Sequence, residues 1–112
     1  MATRTEDRLG AAKDVGTTYV NVGTVPASTT FNAIVRTVCH VACSVRLYIA
    51  ANSWTTGEPT GSDLVAKLAY DRPMVVGEVI EDTGIILETG EKLIARASAA
   101  GVDVLAHGVA IT

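Results

Sequence analysis

The sequence predicts an all-β chain: a single β-sandwich or jelly-roll-like domain of about eight antiparallel strands, preceded by an extended N-terminal arm. Three observations predict it. Val, Ile and Thr fill 36 of the 112 positions, and β-branched side chains fit a pleated surface while losing rotamer freedom in a helix. From Thr17 to Thr112 the apolar runs are short and are cut at roughly eight- to twelve-residue intervals by turn residues. The connections between runs are too short for the crossovers that parallel neighbours require.

Residues 1–16 read as the arm and residues 17–112 as the sandwich. The arm carries Arg4, Glu6, Asp7, Arg8, Lys13 and Asp14, six of the 21 charged residues (nine basic, twelve acidic), and shows no period-two alternation. The first strand is expected over Thr18–Val22, ending before Pro26, which cannot donate to a ladder. A long strand follows over Thr30–His40, with Ala33, Val35, Thr37 and Cys39 on one face and Asn32, Ile34, Arg36, Val38 and His40 on the other. Both faces are partly apolar, which predicts that a neighbour covers the second one.

Ser44–Ala50 has the cleanest alternation, with Val45, Leu47 and Ile49 inward and Ser44, Arg46 and Tyr48 outward. Asn52–Asp63 reads as the longest loop because Gly57, Pro59, Gly61 and Ser62 all break regular structure. Leu64–Tyr70 resumes a strand, and Asp71-Arg72-Pro73 is expected to end it. Glu78–Asp82 and Ile85–Leu87 read as separate strands on either side of Gly84. Glu88-Thr89-Gly90-Glu91 is a hairpin signal leading to Lys92–Ser98. A turn at Ala99-Ala100-Gly101 leads to the last strand, Val102–Ile111.

Charge and composition narrow the function classes. The net charge is −3 and no basic cluster is visible, which argues against a nucleic-acid partner. No apolar run approaches the roughly 18 residues of a membrane helix, and the N-terminus lacks the apolar core of a signal peptide. Cys39 and Cys43 are not a disulfide framework. They read as two small buried or half-buried thiols in a protein made in a reducing cytoplasm, with a bond between them left open.

Reaction chemistry finds little footing. Cys39-His40-x-x-Cys43 offers zinc three ligands at most, and adjacent strand residues point to opposite faces. Two histidines and no Gly-x-Ser-x-Gly elbow argue against a hydrolytic triad. Glu78, Glu81 and Asp82 read as a solvated strand edge rather than paired catalytic carboxylates. Glu58 and Asp63 alone are a weak calcium signal. Trp54, the only tryptophan, either folds back over the end of the sandwich or anchors a partner from its loop. Arg36, Arg46 and Arg96 point outward, to keep the sheet soluble or to pair across an interface.

One set of residues carries a resemblance. Arg8-Leu9-Gly10 in the arm precedes Tyr19 and Val25-Pro26-Ala27, then a Val-Cys strand and its Val-Arg-Leu partner. Leu68-Ala69-Tyr70-Asp71, Thr83-Gly84-Ile85-Ile86-Leu87, Gly90-Glu91, Ala97-Ser98-Ala99 and Gly108 follow in order. The chain resembles the small β-sandwich virion proteins of tailed bacteriophages, and departs from them in the short turn His40-Val41-Ala42. The resemblance implies a structural protein without cofactor or catalytic residues, made in the host cytoplasm and residing in the virion. It implies a capsid decoration (cement) subunit that binds the major capsid protein or other virion proteins. A homo-oligomer is implied, with a trimer favoured, and neither nucleic acid nor membrane as partner. Arg4, Arg8 and Leu9 of the arm and Trp54 are the candidate partner-binding residues. The alternative is a tail or baseplate module that recognises a host-surface ligand through Trp54 and its loop.

Overall fold

The chain is one long antiparallel hairpin rolled up on itself. The computed structural model describes residues 2–112, so Met1 of the expected arm lies outside the described residues. The strands are β1 (Arg4–Val15), β2 (Val20–Thr24), β3 (Thr30–Cys39), β4 (Cys43–Ala50), β5 (Leu64–Met74), β6 (Val79–Leu87), β7 (Lys92–Ala97) and β8 (Val102–Ile111). The pairs β4–β5, β3–β6, β2–β7 and β1–β8 nest around the long loop after Ala50, each antiparallel. Rolling the hairpin adds β3–β8 and β4–β7. Two sheets result, in the orders β1-β8-β3-β6 and β2-β7-β4-β5. This is an eight-stranded jelly roll, the all-β sandwich that the β-branched runs predict.

Period-two burial builds the core. Phe31, Ala33, Val35, Thr37 and Cys39 of β3 face Val45, Leu47 and Ile49 of β4 across the sandwich, with Leu87, Leu93, Ala95, Val102, Val104 and Ala106. Many of these side chains are thin, and the shortest dimension of the molecule is 18 Å, in keeping with two sheets stacked about 10 Å apart.

Three elements differ from the expectation. The segment read as an arm is extended, but it is not set apart from the sandwich. Residues 4–15 form β1, paired with β8 from Arg4–Ile111 to Val15–Val102, and Val15 is buried in the core. Its alternation escapes a sequence reading because register shifts between Arg8 and Gly10 and between Ala12 and Val15 break the period. β5 continues through Pro73 to Met74. It is an edge strand, where proline is tolerated, and a bulge carries Asp71 at φ 51°. β6 runs unbroken across Gly84, which takes φ 69° at a bulge opposite β3.

The two lateral sides of the sandwich are closed differently. On one side the backbones of β1 and β2 meet at Gly10 and Gly23. A Cβ on Gly10 would lie 1.9 Å from the Val22 carbonyl oxygen, so only glycine permits the approach. On the other side Arg72 of β5 reaches across to Asp82 of β6 with two hydrogen bonds of 2.9 and 3.2 Å.

Candidate interaction surface

The outer faces of the two sheets are built on opposite plans. On β2-β7-β4-β5 the protein covers itself. Trp54 folds back onto Tyr48, Ala50 and Ile94, with Tyr19 and Leu64 at the margin. Its indole N–H donates to the Gly57 carbonyl at 2.8 Å, and the Tyr48 hydroxyl donates to Glu58 at 2.7 Å. The Lys92 ammonium donates to the Asn52 carbonyl at 2.6 Å. Tyr48, expected to point outward, does so and is nonetheless fully buried, because the loop lies over it.

Beside this cap, Arg46 is fully engaged. Its guanidinium forks onto Asp71 at 2.7 and 3.2 Å, donates to the Tyr19 hydroxyl at 2.8 Å and lies 4.2 Å from the Tyr70 ring centre. The bulge at Asp71 is what swings that carboxylate toward Arg46. The Arg46 hydrogen bonds hold the Asp71 carboxyl below the ordinary carboxylate range, while burial and then the bond to Glu58 push the Tyr48 phenol up.

Among the described residues the outer face of β1-β8-β3-β6 has no such cap. Its strands interleave aliphatic and polar side chains: Ile34 and Val38 on β3 stand opposite His107 and Asp103, Leu105, Val109 and Ile111 on β8 opposite Arg36, Asn32 and Thr30, and Val79 and Ile86 on β6 opposite Val38 and Asn32. The β3 and β8 side chains are only half-buried by their sheet neighbours, while Val79 and Ile86 are exposed at 45% and 48%. Arg4, Glu6, Arg8 and Ala11 of β1 continue the surface opposite Ile111, Val109, His107 and Leu105, and Lys13 follows at the second bulge, lining one groove with Asp103. A groove of about 410 Å³ runs here, lined by Arg8, Ala11, Lys13, Arg36, Val38 and Leu105 among others.

Cation bookkeeping singles out the same face. Arg46 and Arg72 fork onto carboxylates, Lys92 and Arg96 donate to backbone carbonyls, and Lys67 sits 4.7 Å from the Tyr70 ring centre. Among the described residues, Arg4, Arg8, Lys13 and Arg36 make no side-chain hydrogen bond or ion pair, and all four lie on the β1-β8-β3-β6 sheet. Asp103, on the same face, is already occupied by the Asp14 backbone N–H at 2.9 Å and by His40 at 3.0 Å. Those two contacts hold its carboxyl below the ordinary range, the backbone bond contributing most.

The four candidate partner-binding residues therefore do not form one site. Arg4 and Arg8 stand exposed on the uncovered sheet face. Leu9 turns inward at the first bulge and packs against the core. Trp54 is buried on the other sheet. The residues that complete the surface, Lys13, Ile34, Arg36, Val38, Leu105 and Val109, come from strands distant in the chain. Their one signal in the sequence is the apolar second face of Thr30–His40.

The two thiols lie together at the β3–β4 turn. Cys39 is buried inward, and His40 points out to Asp103. Both cysteines are free, with their sulfurs 3.8 Å apart. Burial, followed by the neighbouring Cys39, raises the Cys43 thiol to about 11. Compared with family models, curated proteins and solved structures, the chain finds no match.

Proposed function

We propose that this protein is a bacteriophage virion subunit that acts by contact rather than by catalysis, as a capsid decoration protein bound to the major capsid protein. The observation that carries the reading is the uncapped outer face of β1-β8-β3-β6, where aliphatic side chains alternate with polar ones and Arg4, Arg8, Lys13 and Arg36 make no side-chain hydrogen bond or ion pair among the described residues. A protein that works alone rarely leaves large apolar patches in water, and this uncapped sheet sets seven aliphatic side chains among its polar ones. A rigid jelly roll holding such a face is suited to tie neighbouring subunits together, each contact modest and the whole strengthened by repetition. The resemblance to phage β-sandwich virion proteins supports the same class. The alternative tail module loses the anchor assigned to it, since the Trp54 ring is packed under its own loop.

The test is quantitative mass spectrometry of purified virions, paired with add-back to particles lacking the protein. Copies in step with the shell subunits, and binding lost on Leu105→Asp with the fold intact, are the expected results. A handful of copies per particle would move the protein to the tail, and none at all would refute the virion assignment.

A further inference from the structure

From the meeting of the two cysteines at the β3–β4 corner we infer that Cys39 and Cys43 form a modification site for small disulfides. The pair closes by thiol–disulfide exchange, with Cys43 as the entry thiol and Cys39 as the resolving one. The inference uses neither the bare sheet face nor the virion reading, so it stands or falls apart from both.

Three observations carry it. The sulfurs lie 3.8 Å apart, in van der Waals contact, at the two ends of the short connection His40-Val41-Ala42. They belong to the only cysteines of the chain, so neither has another partner within the molecule. Among the described residues no third His, Cys, Asp or Glu joins them to make a metal site, and His40 is turned away to Asp103. Two touching thiols with no metal between them are placed for oxidation to a disulfide.

Their surroundings differ, and the difference sets the order of events. Cys39 is fully buried. Its backbone is held on both sides, paired with Val102 in the sheet and bonded to Gly77 and Glu78 at the β5–β6 turn. Its S–H donates to the Val41 carbonyl inside the connection. An external reagent has no path to it in the folded chain. Cys43 opens β4, is half-buried, and has Met74 as its one ladder partner. It is the sulfur that a reagent meets first. A disulfide sets its sulfurs about 2.0 Å apart, and rotation of the Cys43 side chain at the end of its strand is the movement that brings them there.

The exchange balances with the small disulfide as the one oxidant. The Cys43 thiolate attacks a sulfur of the reagent, the S–S bond breaks, and one half leaves as a thiol while the other stays on Cys43. Cys39, beside it, then attacks the Cys43 sulfur and expels the second half. The two protein protons end on the two released thiols, and the protein is oxidised by two electrons as the reagent is reduced by two. Burial, followed by Cys39, keeps the proton on Cys43 up to about pH 11. The first step is therefore slow at neutral pH and quickens about tenfold per pH unit as the thiolate fraction grows. Cys39 belongs to one sheet and Cys43 to the other, so the new bond ties the two sheets directly at this corner.

The experiment treats the folded full chain with hydroxyethyl disulfide, small and uncharged, at about pH 9, and follows intact mass and peptide maps. Wild type should end two hydrogens lighter with a Cys39–Cys43 bond, and dithiothreitol should restore them. Cys39→Ala should stop at one adduct, on Cys43. Cys43→Ala should react at least about tenfold more slowly than wild type, because local or global opening must first expose Cys39. Circular dichroism before treatment checks that each variant is folded, and the wild-type outcome needs no variant. A wild type that ends carrying adducts, or that stays unmodified while the same chain in urea reacts, would overturn the inference. So would a folded Cys43→Ala chain that reacts as fast as wild type, or a folded Cys39→Ala chain that forms no adduct.

Discussion

Thr37 sits in mid-β3, fully buried, and its hydroxyl has no hydrogen-bond partner among the described residues. An unpaired buried hydroxyl carries the cost of its lost hydration with nothing in return. Thr37→Val keeps the shape and removes that cost, so it should stabilise the fold by about 1 kcal/mol, read from the urea midpoint. A destabilised variant would mean the hydroxyl is satisfied after all. Asp71 and Asp103 act in the opposite sense, since both are held ionised by contacts made only in the fold. In the unfolded chain such carboxyls take up protons near pH 3.9, and in the folded chain they do so lower. Their contribution is therefore complete above about pH 4 and is lost as the pH falls through the folded values. The urea midpoint should drop on acidification below pH 4, and Asp71→Asn should flatten part of that drop. An equal slope in wild type and variant would remove Asp71 from the account.

Single elements carry the next two predictions, and both reverse what the sequence suggests. Trp54 is an anchor for its own protein, closing the loop over Tyr48 and Ile94. Trp54→Ala should cost about 3 kcal/mol of stability, visible in chemical denaturation. An unchanged midpoint would return the ring to the pool of partner contacts. β1 is the outer strand of a sheet, with Val15 buried and Leu9 and Ala12 packed against the core. Deleting residues 2–15 should cost at least about 3 kcal/mol, the worth of two buried aliphatic side chains, and would bare the edge of β8. A truncated chain that melts as the full chain does would show β1 to be a detachable arm. Legibility tracks local alternation at this scale. β3, β4, β7 and β8 can be read from period-two runs, and their observed ends fall within a residue or two of the expected ones. β1, the far half of β5 and the join in β6 are hidden because bulges break the period. The expected number of strands and the observed one agree, but with different members: the alternation splits β6 in two and passes over β1.

At the scale of the whole molecule, strand order decides function, and strand order is what a sequence conceals most. Alternation in Thr30–His40 shows a second apolar face. Nothing local says that β8 will lie beside it, or that β1 and β6 will flank the pair. Arg4 meets Ile111, and Lys13 lies beside Asp103, only after the long hairpin has rolled. The same rolling explains why the two outer faces differ. The sheet holding β4 and β5 receives the loop that joins them as a cover, while the sheet holding the chain's first and last strands receives none. The central claim is that the protein works through this bare face. Hydroxyl-radical footprinting of the free and assembled protein tests it most directly. The account predicts protection at Ile34, Leu105, His107 and Val109 with Tyr19 and Tyr70 unchanged; protection of the tyrosine face with Leu105 and Val109 still reactive would contradict it.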